Sequence, residues 1–91
     1  MQINDNKENI VVYTTAYCPY CVRVMGLLEK KGANFQQVDI DDEPEISRQI
    51  NQVTRQSTFP QVFVGDRYIG NCDELFRLDR AGELDGLLGL K

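Results

Sequence analysis

The stretch Tyr17-Cys18-Pro19-Tyr20-Cys21 places two thiols three residues apart, at the point where a strand-like run becomes a helix-like one. If Cys18 is the N-cap, Pro19 takes the first helical position, where a missing N–H costs nothing. The N–H groups of Tyr20 and Cys21 then point at the Cys18 sulfur, at the positive end of the helix dipole. The stretch therefore predicts an accessible, stabilised thiolate at the start of a helix.

The same spacing assigns different roles to the two sulfurs. Cys21 lies one helical turn further on, in an apolar stripe with Val24, Met25 and Leu28. An exposed thiolate attacks a disulfide, and a buried neighbouring thiol resolves the mixed disulfide that results. We therefore expect Cys18 to be the nucleophile and Cys21 the resolving thiol.

Two other uses of closely spaced cysteines are a zinc site and a structural disulfide. Zinc takes four ligands, whereas the chain has one further cysteine, Cys72, and no histidine. A disulfide that closes so small a loop removes little entropy from the unfolded state. Both alternatives are weaker than a redox pair, and no metal is expected.

Length and composition indicate one small globular domain. The 91 residues are 42% hydrophobic and 26% charged, which is ordinary for a soluble protein, and we expect a single domain over residues 1–91. Residues 1–9 form a polar N-terminal extension without the apolar run of a signal peptide or membrane span, so we expect a cytoplasmic protein without a membrane partner. A net charge of −4 without a basic block argues against nucleic acid as a partner.

The apolar pattern predicts the element order β-α-β-α-β-β-α, an α/β fold with a small four-stranded mixed sheet flanked by helices. The first predicted elements are a buried strand over residues 10–14, a helix over 18–31 with Gly32 as a left-handed stop, and a strand over 35–40 parallel to the first. A second helix is predicted to begin at Pro44, with Ile46, Ile50 and Val53 on one face. A hairpin over 61–69 with a type II′ turn at Gly65 and Asp66 follows, and then a helical region from Cys72 that continues through Leu84, Leu87 and Leu88. The acidic residues 41–43 are expected to complement a helix N-terminus.

Three motifs in order resemble those of the short dithiol glutaredoxins of bacteria. They are Cys18-Pro19-Tyr20-Cys21 after Tyr13-Thr14, then Thr58-Phe59-Pro60, then Gly70-Asn71-Cys72-Asp73. The resemblance extends from about Ile10 to the C-terminus. It implies a thioredoxin-like fold and glutathione as the co-substrate that donates electrons.

The resemblance also implies where glutathione binds. The implied contacts are Tyr20, Gln56, Thr58, Phe59, Pro60, Cys72 and Asp73. Pro60 matches a proline that is cis throughout this fold, and a cis turn leaves the Phe59 N–H and C=O free to pair with an extended cysteinyl peptide. Cys72 and Asp73 match residues that hold the γ-glutamyl end, whose carboxylate suits a helix N-terminus and whose ammonium suits the Asp73 carboxylate.

The chain departs from the family pattern at two positions. Asn71 stands where a second glycine is usual, and because asparagine tolerates a left-handed backbone we expect the turn to be kept. Thr15 stands where a lysine usually binds the glycyl carboxylate of glutathione. Gln56 or Arg55 would then have to hold that carboxylate.

The implied activity is reduction of protein–glutathione mixed disulfides and of protein disulfides by a monomer, with glutathione reductase regenerating glutathione. One alternative is a glutaredoxin-like reductant fed by thioredoxin reductase, which would not need a glutathione pocket. A second is an iron–sulfur carrier in which Cys18 from two subunits and two glutathiones hold a cluster. Carriers of the family usually have C-G-F-S, whereas Pro19 and Tyr20 follow Cys18 here.

Overall fold

Strands and helices alternate along the described part of the chain, which is residues 9–90 of a computed structural model. The elements are β1 (Ile10–Thr14), α1 (Pro19–Lys30), β2 (Phe35–Asp39), a 3-10 helix (Ile40–Asp42), α2 (Pro44–Thr54), β3 (Gln61–Val64), β4 (Arg67–Gly70), α3 (Cys72–Arg80) and α4 (Leu84–Leu87). The order confirms the predicted architecture, while most of the expected N-terminal extension lies outside the described residues. Each helix among residues 9–90 is too short or too polar to cross a bilayer.

The four strands form one mixed sheet in the order β2-β1-β3-β4. β1 pairs with β2 in parallel, as predicted for two strands joined by a helix, and β3 is antiparallel to both β1 and β4. In the antiparallel pair, Tyr13 near the end of β1 lies opposite Gln61 at the start of β3. Cys18 follows the end of β1 and Pro60 precedes the start of β3, so both segments lie at the same end of the two central strands.

The main core lies between the sheet and the helices α1, α3 and α4. Alternate strand residues such as Ile10, Val12 and Val62 pack there against Leu28 and Leu75, and all five are fully buried. On the other face, Tyr13 and Phe63 meet edge to face with ring centroids 5.4 Å apart. α2 lies over that face, so both faces of the sheet carry helices.

α1 and α3 both end with a glycine in the left-handed region. Gly32 has φ of 74° and its N–H donates to the carbonyl of Glu29, which confirms the predicted stop. Gly82 has φ of 76° and ends α3 in the same way. The predicted last helical region therefore consists of two helices, because the left-handed Gly82 ends α3 before α4 begins.

Lys31 joins the three helices of the main core face. Its Nζ lies 2.5 Å from a carboxylate oxygen of Asp79 and 2.7 Å from one of Asp85. The hydrogen bonds to Asp79 and then to Asp85 raise the pKa of Lys31. Because its side chain is only 17% exposed, the contact links the end of α1 to α3 and α4 where water screens it little.

Three local predictions need comment. Ile40 is buried but begins the 3-10 helix, so it is wrong that it belongs to β2; the Asp39 carboxylate accepts the Asp41 N–H and turns the chain there. Val53 is 70% exposed although it shares a face of α2 with Ile50, because it borders an open depression between α2 and the sheet residues Tyr13 and Phe63. Gly65 has φ of 60°, as the predicted type II′ turn requires.

Candidate active site

Cys18 and Cys21 lie at the start of α1, and the structure confirms that Cys18 is its N-cap. The Cys21 N–H donates to Cys18 Sγ at 3.1 Å, and Pro19 is the first helical residue. Within residues 9–90, the Tyr20 N–H makes no such bond, so one of the two predicted donors is found. The two sulfurs form a disulfide, with Cys18 partly exposed and Cys21 2% exposed. The exposure difference is the one that the nucleophile and resolving roles require.

The loop before Cys18 is held from a distant part of the chain. Tyr17 is fully exposed and has φ of 54°, which is unusual for a residue with a side chain. The Ala16 N–H donates to the Asp41 carboxylate at 2.9 Å. Asp41 was expected only to complement a helix N-terminus, and instead it fixes the backbone two residues before Cys18.

The segment before β3 approaches Cys18 from the adjacent strand. The Phe59–Pro60 bond is cis, as the resemblance implied, and Pro60 is buried. The Phe59 carbonyl oxygen lies 3.8 Å from Cys18 Sγ. The cysteine pair and the cis-proline segment therefore form one site.

An open groove with a volume of about 360 Å³ runs beside this site. Its walls come from α1, from the segment before β3 and from the start of α3. The lining residues are Tyr20, Thr58, Phe59, Pro60, Asn71, Cys72 and Asp73. Six of the residues expected to contact glutathione are thus brought together, and Asn71 joins them.

Asn71 begins α3 through a reciprocal pair of hydrogen bonds with Glu74. The Glu74 N–H donates to Asn71 Oδ1 at 3.0 Å, and the Asn71 N–H donates to Glu74 Oε1 at 2.9 Å. The expectation of a left-handed Asn71 is wrong: its φ is −100°, the extended backbone of an N-cap. The positive φ of 140° belongs to Gly70, where a Cβ would come within 2.7 Å of Glu74 Cβ. The spacing Asn-x-x-Glu was the sequence signal for this cap.

The sulfur of Cys72, the first residue of α3, is barely accessible from the groove. Cys72 is 5% exposed. Burial raises the pKa of the Cys72 thiol, Arg23 opposes that shift and Asp73 adds to it. A protonated, buried thiol is a poor nucleophile, whereas its exposed neighbour Asp73 presents a carboxylate to the groove.

The residues considered for the glycyl carboxylate do not line this groove. Thr15 lines a separate surface depression that Cys18 and Cys21 also line, together with Tyr17 and Met25. Arg55 is the left-handed C-cap of α2, and Gln56 is exposed beside it. The implied contact of Gln56 is thus the one contact of the set that the structure leaves outside the groove.

Among residues 9–90, acidic and cysteine side chains form no group of three or more that could hold a metal ion. The groove offers a helix N-terminus, backbone amides and one carboxylate, and the Cys18–Cys21 pair lies beside it. This is a set suited to a disulfide and a small zwitterionic ligand.

Comparison with known proteins identifies this arrangement. The model of the family described as Glutaredoxin matches residues 10–69, two thirds of the chain. The chain belongs to the glutaredoxin family. It is 44% identical over 79 residues to the glutaredoxin of Pseudomonas aeruginosa, covering 87% of this chain and 94% of that one. It is 40% identical over 80 residues to glutaredoxin 3 of Escherichia coli K12, covering 88% and 96%.

Solved glutaredoxin structures have the same fold. A buckwheat glutaredoxin–glutathione complex superposes with a TM-score of 0.82 at 37% identity, over 92% of this chain and 79% of that one. A Brucella melitensis glutaredoxin gives 0.79 at 39% identity, over 90% and 89%. The fold is therefore the thioredoxin-like fold of the family. As a glutaredoxin, the protein is a glutathione-dependent thiol–disulfide oxidoreductase.

Proposed function

We propose that this glutaredoxin reduces protein–glutathione mixed disulfides through Cys18, and protein disulfides through Cys18 and Cys21 together. The observation that carries the proposal is the contact between Cys18 Sγ and the Phe59 carbonyl, 3.8 Å apart, at the side of the groove. A sulfur bound in the groove through its own cysteinyl backbone is thereby within reach of the thiolate.

Glutathione lies in the groove in an extended conformation. Its cysteinyl backbone pairs with the Phe59 N–H and C=O as a neighbouring strand would. Its γ-glutamyl carboxylate accepts from the first N–H groups of α3, at Cys72 and Asp73, and its ammonium contacts the Asp73 carboxylate. Tyr20 and Thr58 line the groove on either side of the tripeptide.

The first half-reaction transfers glutathione to the enzyme. The Cys18 thiolate attacks the glutathione sulfur of the mixed disulfide, a bond forms between Cys18 and glutathione, and the substrate sulfur leaves as a thiolate that takes a proton from water. A second glutathione thiolate then attacks the bound glutathione sulfur. Glutathione disulfide leaves with the Cys18 thiolate restored, so each turnover consumes one free glutathione, and the other half of the glutathione disulfide comes from the substrate.

The stabilisation of the Cys18 thiolate helps the second half-reaction most. Stabilising a thiolate raises the fraction of the thiol that is ionised but lowers the nucleophilicity of the sulfur, and these two effects nearly cancel in the attack. A stabilised thiolate is also a better leaving group. In the release step only the leaving-group effect applies. The Cys21 N–H and the α1 N-terminus therefore serve the step in which Cys18 departs.

The dithiol route uses the second cysteine. When Cys18 is linked to a protein with a second thiol, Cys21 attacks Cys18 Sγ and expels the protein thiolate. The product is the Cys18–Cys21 disulfide, the form in which the two sulfurs stand in this structure. Two glutathiones reduce it again.

This activity needs a compartment that supplies reduced glutathione, and we place the protein as a monomer in the cytoplasm. Its partners are then glutathione, glutathionylated or disulfide-bonded proteins and, indirectly, glutathione reductase. In that setting it carries electrons from glutathione to protein thiols and contributes to cell redox homeostasis.

The test is turnover of a glutathionylated peptide with two alternative electron supplies. We expect activity with glutathione and glutathione reductase, and little with thioredoxin and thioredoxin reductase. Activity only with the thioredoxin system would contradict the proposal, because that donor has no use for a glutathione groove.

A further inference from the structure

Gln61, the first residue of β3, is fully buried although its side chain is polar. It follows Pro60 directly and lies on the sheet face that α2 covers, where its side chain contacts the end of that helix. A buried amide without hydrogen-bond partners is strongly destabilising, so its hydrogen bonds decide whether it can stay there. The mechanism above gives Gln61 no part.

The Gln61 amide bonds to the chain that leads into the cis-proline. Its Nε2 donates to the Gln56 carbonyl at 3.1 Å and to the Thr58 carbonyl at 2.9 Å. Its Oε1 lies 3.0 Å from the Thr54 hydroxyl, which has the Ile50 carbonyl as a second acceptor at 3.0 Å. The reverse orientation of the amide would set Oε1 against two carbonyl oxygens, so the orientation is fixed.

The bond to Thr58 has a geometric consequence for the next residue. The peptide that joins Thr58 to Phe59 is trans, and in a trans peptide the C=O and the N–H point to opposite sides of the chain. Gln61 holds the Thr58 C=O toward the interior. The Phe59 N–H is thereby turned away from Gln61.

We infer that Gln61 is a positioning residue that aims the Phe59 N–H at the cysteinyl carbonyl of glutathione. The inference rests on the proposed function and deepens it, because it names what sets the direction of the recognition amide. Gln61 contacts neither the thiols nor the ligand; it acts through the Thr58–Phe59 peptide. Its loss should therefore weaken recognition of a substrate with a peptide backbone and leave the chemistry of Cys18 unchanged.

The decisive variant is Gln61→Met, which keeps the length of the side chain and removes all of its hydrogen bonds. The matched control is Val62→Ala, which removes fully buried atoms from the same strand. The valine side chain has no polar group that could bond to residues 56–60. Gln61→Glu is a second, milder variant. Its buried carboxyl group faces two carbonyl oxygens, stays protonated and keeps one donor.

Two substrates separate positioning from general loss of structure. The first is a glutathionylated peptide; the second is bis(2-hydroxyethyl) disulfide, which has no backbone amide to pair with Phe59. Each is mixed with the reduced enzyme in single turnover without free glutathione. Alkylation of Cys18 by iodoacetamide reports the thiolate itself.

For Gln61→Met we expect the rate constant with the glutathionylated peptide to fall roughly three- to tenfold, the range for loss of one neutral hydrogen bond. The rate with bis(2-hydroxyethyl) disulfide and the alkylation rate should stay within twofold of the parent. Gln61→Glu should lose less, and Val62→Ala should change the two substrates equally.

An equal fall with both substrates, or no fall with the glutathionylated peptide, would overturn the inference. If Gln61→Met does not fold, the same comparison with Gln61→Glu decides. A wild-type enzyme that showed no preference for the glutathionylated peptide would overturn the proposed function itself, and this is measured before any variant is made.

Discussion

Asp73→Asn tests which end of glutathione lies at the start of α3. The substitution removes one negative charge and keeps the shape of a side chain that lines the groove. Asp73 is exposed, so water screens its contact with the glutathione ammonium, and such a pair contributes at most about 1 kcal/mol. We therefore expect the KM for a glutathionylated peptide to rise about two- to fivefold.

The assay is steady-state reduction of a glutathionylated peptide, with the peptide varied at saturating glutathione, at low and at high salt. Added salt shortens the Debye length from about 10 Å at 0.1 M to about 3 Å at 1 M, so the difference between parent and variant should shrink. Iodoacetamide alkylation of Cys18 should be unchanged. Glu83→Gln is the matched control, because Glu83 is an exposed acid at the start of α4 and does not line the groove.

The reasoning would be refuted by an unchanged KM for Asp73→Asn at low salt, or by the same rise in Glu83→Gln. The first result would mean that the ammonium is held elsewhere. The second would mean that the net charge of the protein, rather than a local contact, governs the affinity.

Other substitutions probe the remaining parts of the site and of the fold. Cys21→Ser should keep or modestly raise the rate with a glutathionylated peptide and lose most activity on protein disulfides, whereas Cys18→Ser should abolish both; an inactive but folded Cys21→Ser, checked by circular dichroism, would contradict the role of Cys18. Cys72→Ser should leave turnover within a few-fold of the parent, because Cys72 is buried and acts through its backbone N–H and not through its thiol. A complete loss of activity would mean that Cys72 is a redox partner of Cys18. Asn71→Ala should cost about 1 kcal/mol of unfolding free energy and Asn71→Gly only a few tenths, measured by urea unfolding, and an unchanged stability of Asn71→Ala would show that the cap bond adds nothing. Lys31→Met should cost about 1–2 kcal/mol below pH 10. Because the pKa of Lys31 is raised, this contribution is full below the ordinary value of 10.5 and is lost as the pH rises through the raised one, so the parent and the variant should converge there in urea unfolding.

Local patterns were sufficient for the cysteine motif and for most of the elements. The N-cap at Cys18 follows from five consecutive residues. The end of α1 and the turn between β3 and β4 follow from glycines in the left-handed region, which most other residues enter only with strain. These features depend on neighbours in sequence. The groove residues came from the resemblance, since their separations along the chain carry no chemical signal of their own.

The features that sequence analysis missed are the polar contacts of Asp41, Gln61 and Asn71. Asp41 and Ala16 are 25 positions apart, and nothing in an acidic run indicates which acid will meet a backbone N–H. Gln61 is a polar residue at the start of a strand, which is typical of an exposed position, yet it is fully buried. The N-cap role of Asn71 could have been predicted, because Glu74 three residues later completes a capping-box pattern. The left-handed backbone expected for Asn71 came instead from the glycine that the family usually has at this position.

The register between β1 and β3 sets the distance between the two halves of the site, the cysteine pair and the cis-proline segment. Tyr13 stands opposite Gln61, and a shift of two residues in that pairing would displace one strand along the other by about 7 Å. Such a shift would separate Cys18 from Phe59 completely, so neither central strand tolerates insertion or deletion. The hairpin turn at Gly65 and Asp66 lies at the far end of β3. A reporter peptide inserted there would leave the spacing intact, and the enzyme could be followed in a cell without disturbing its sulfur chemistry.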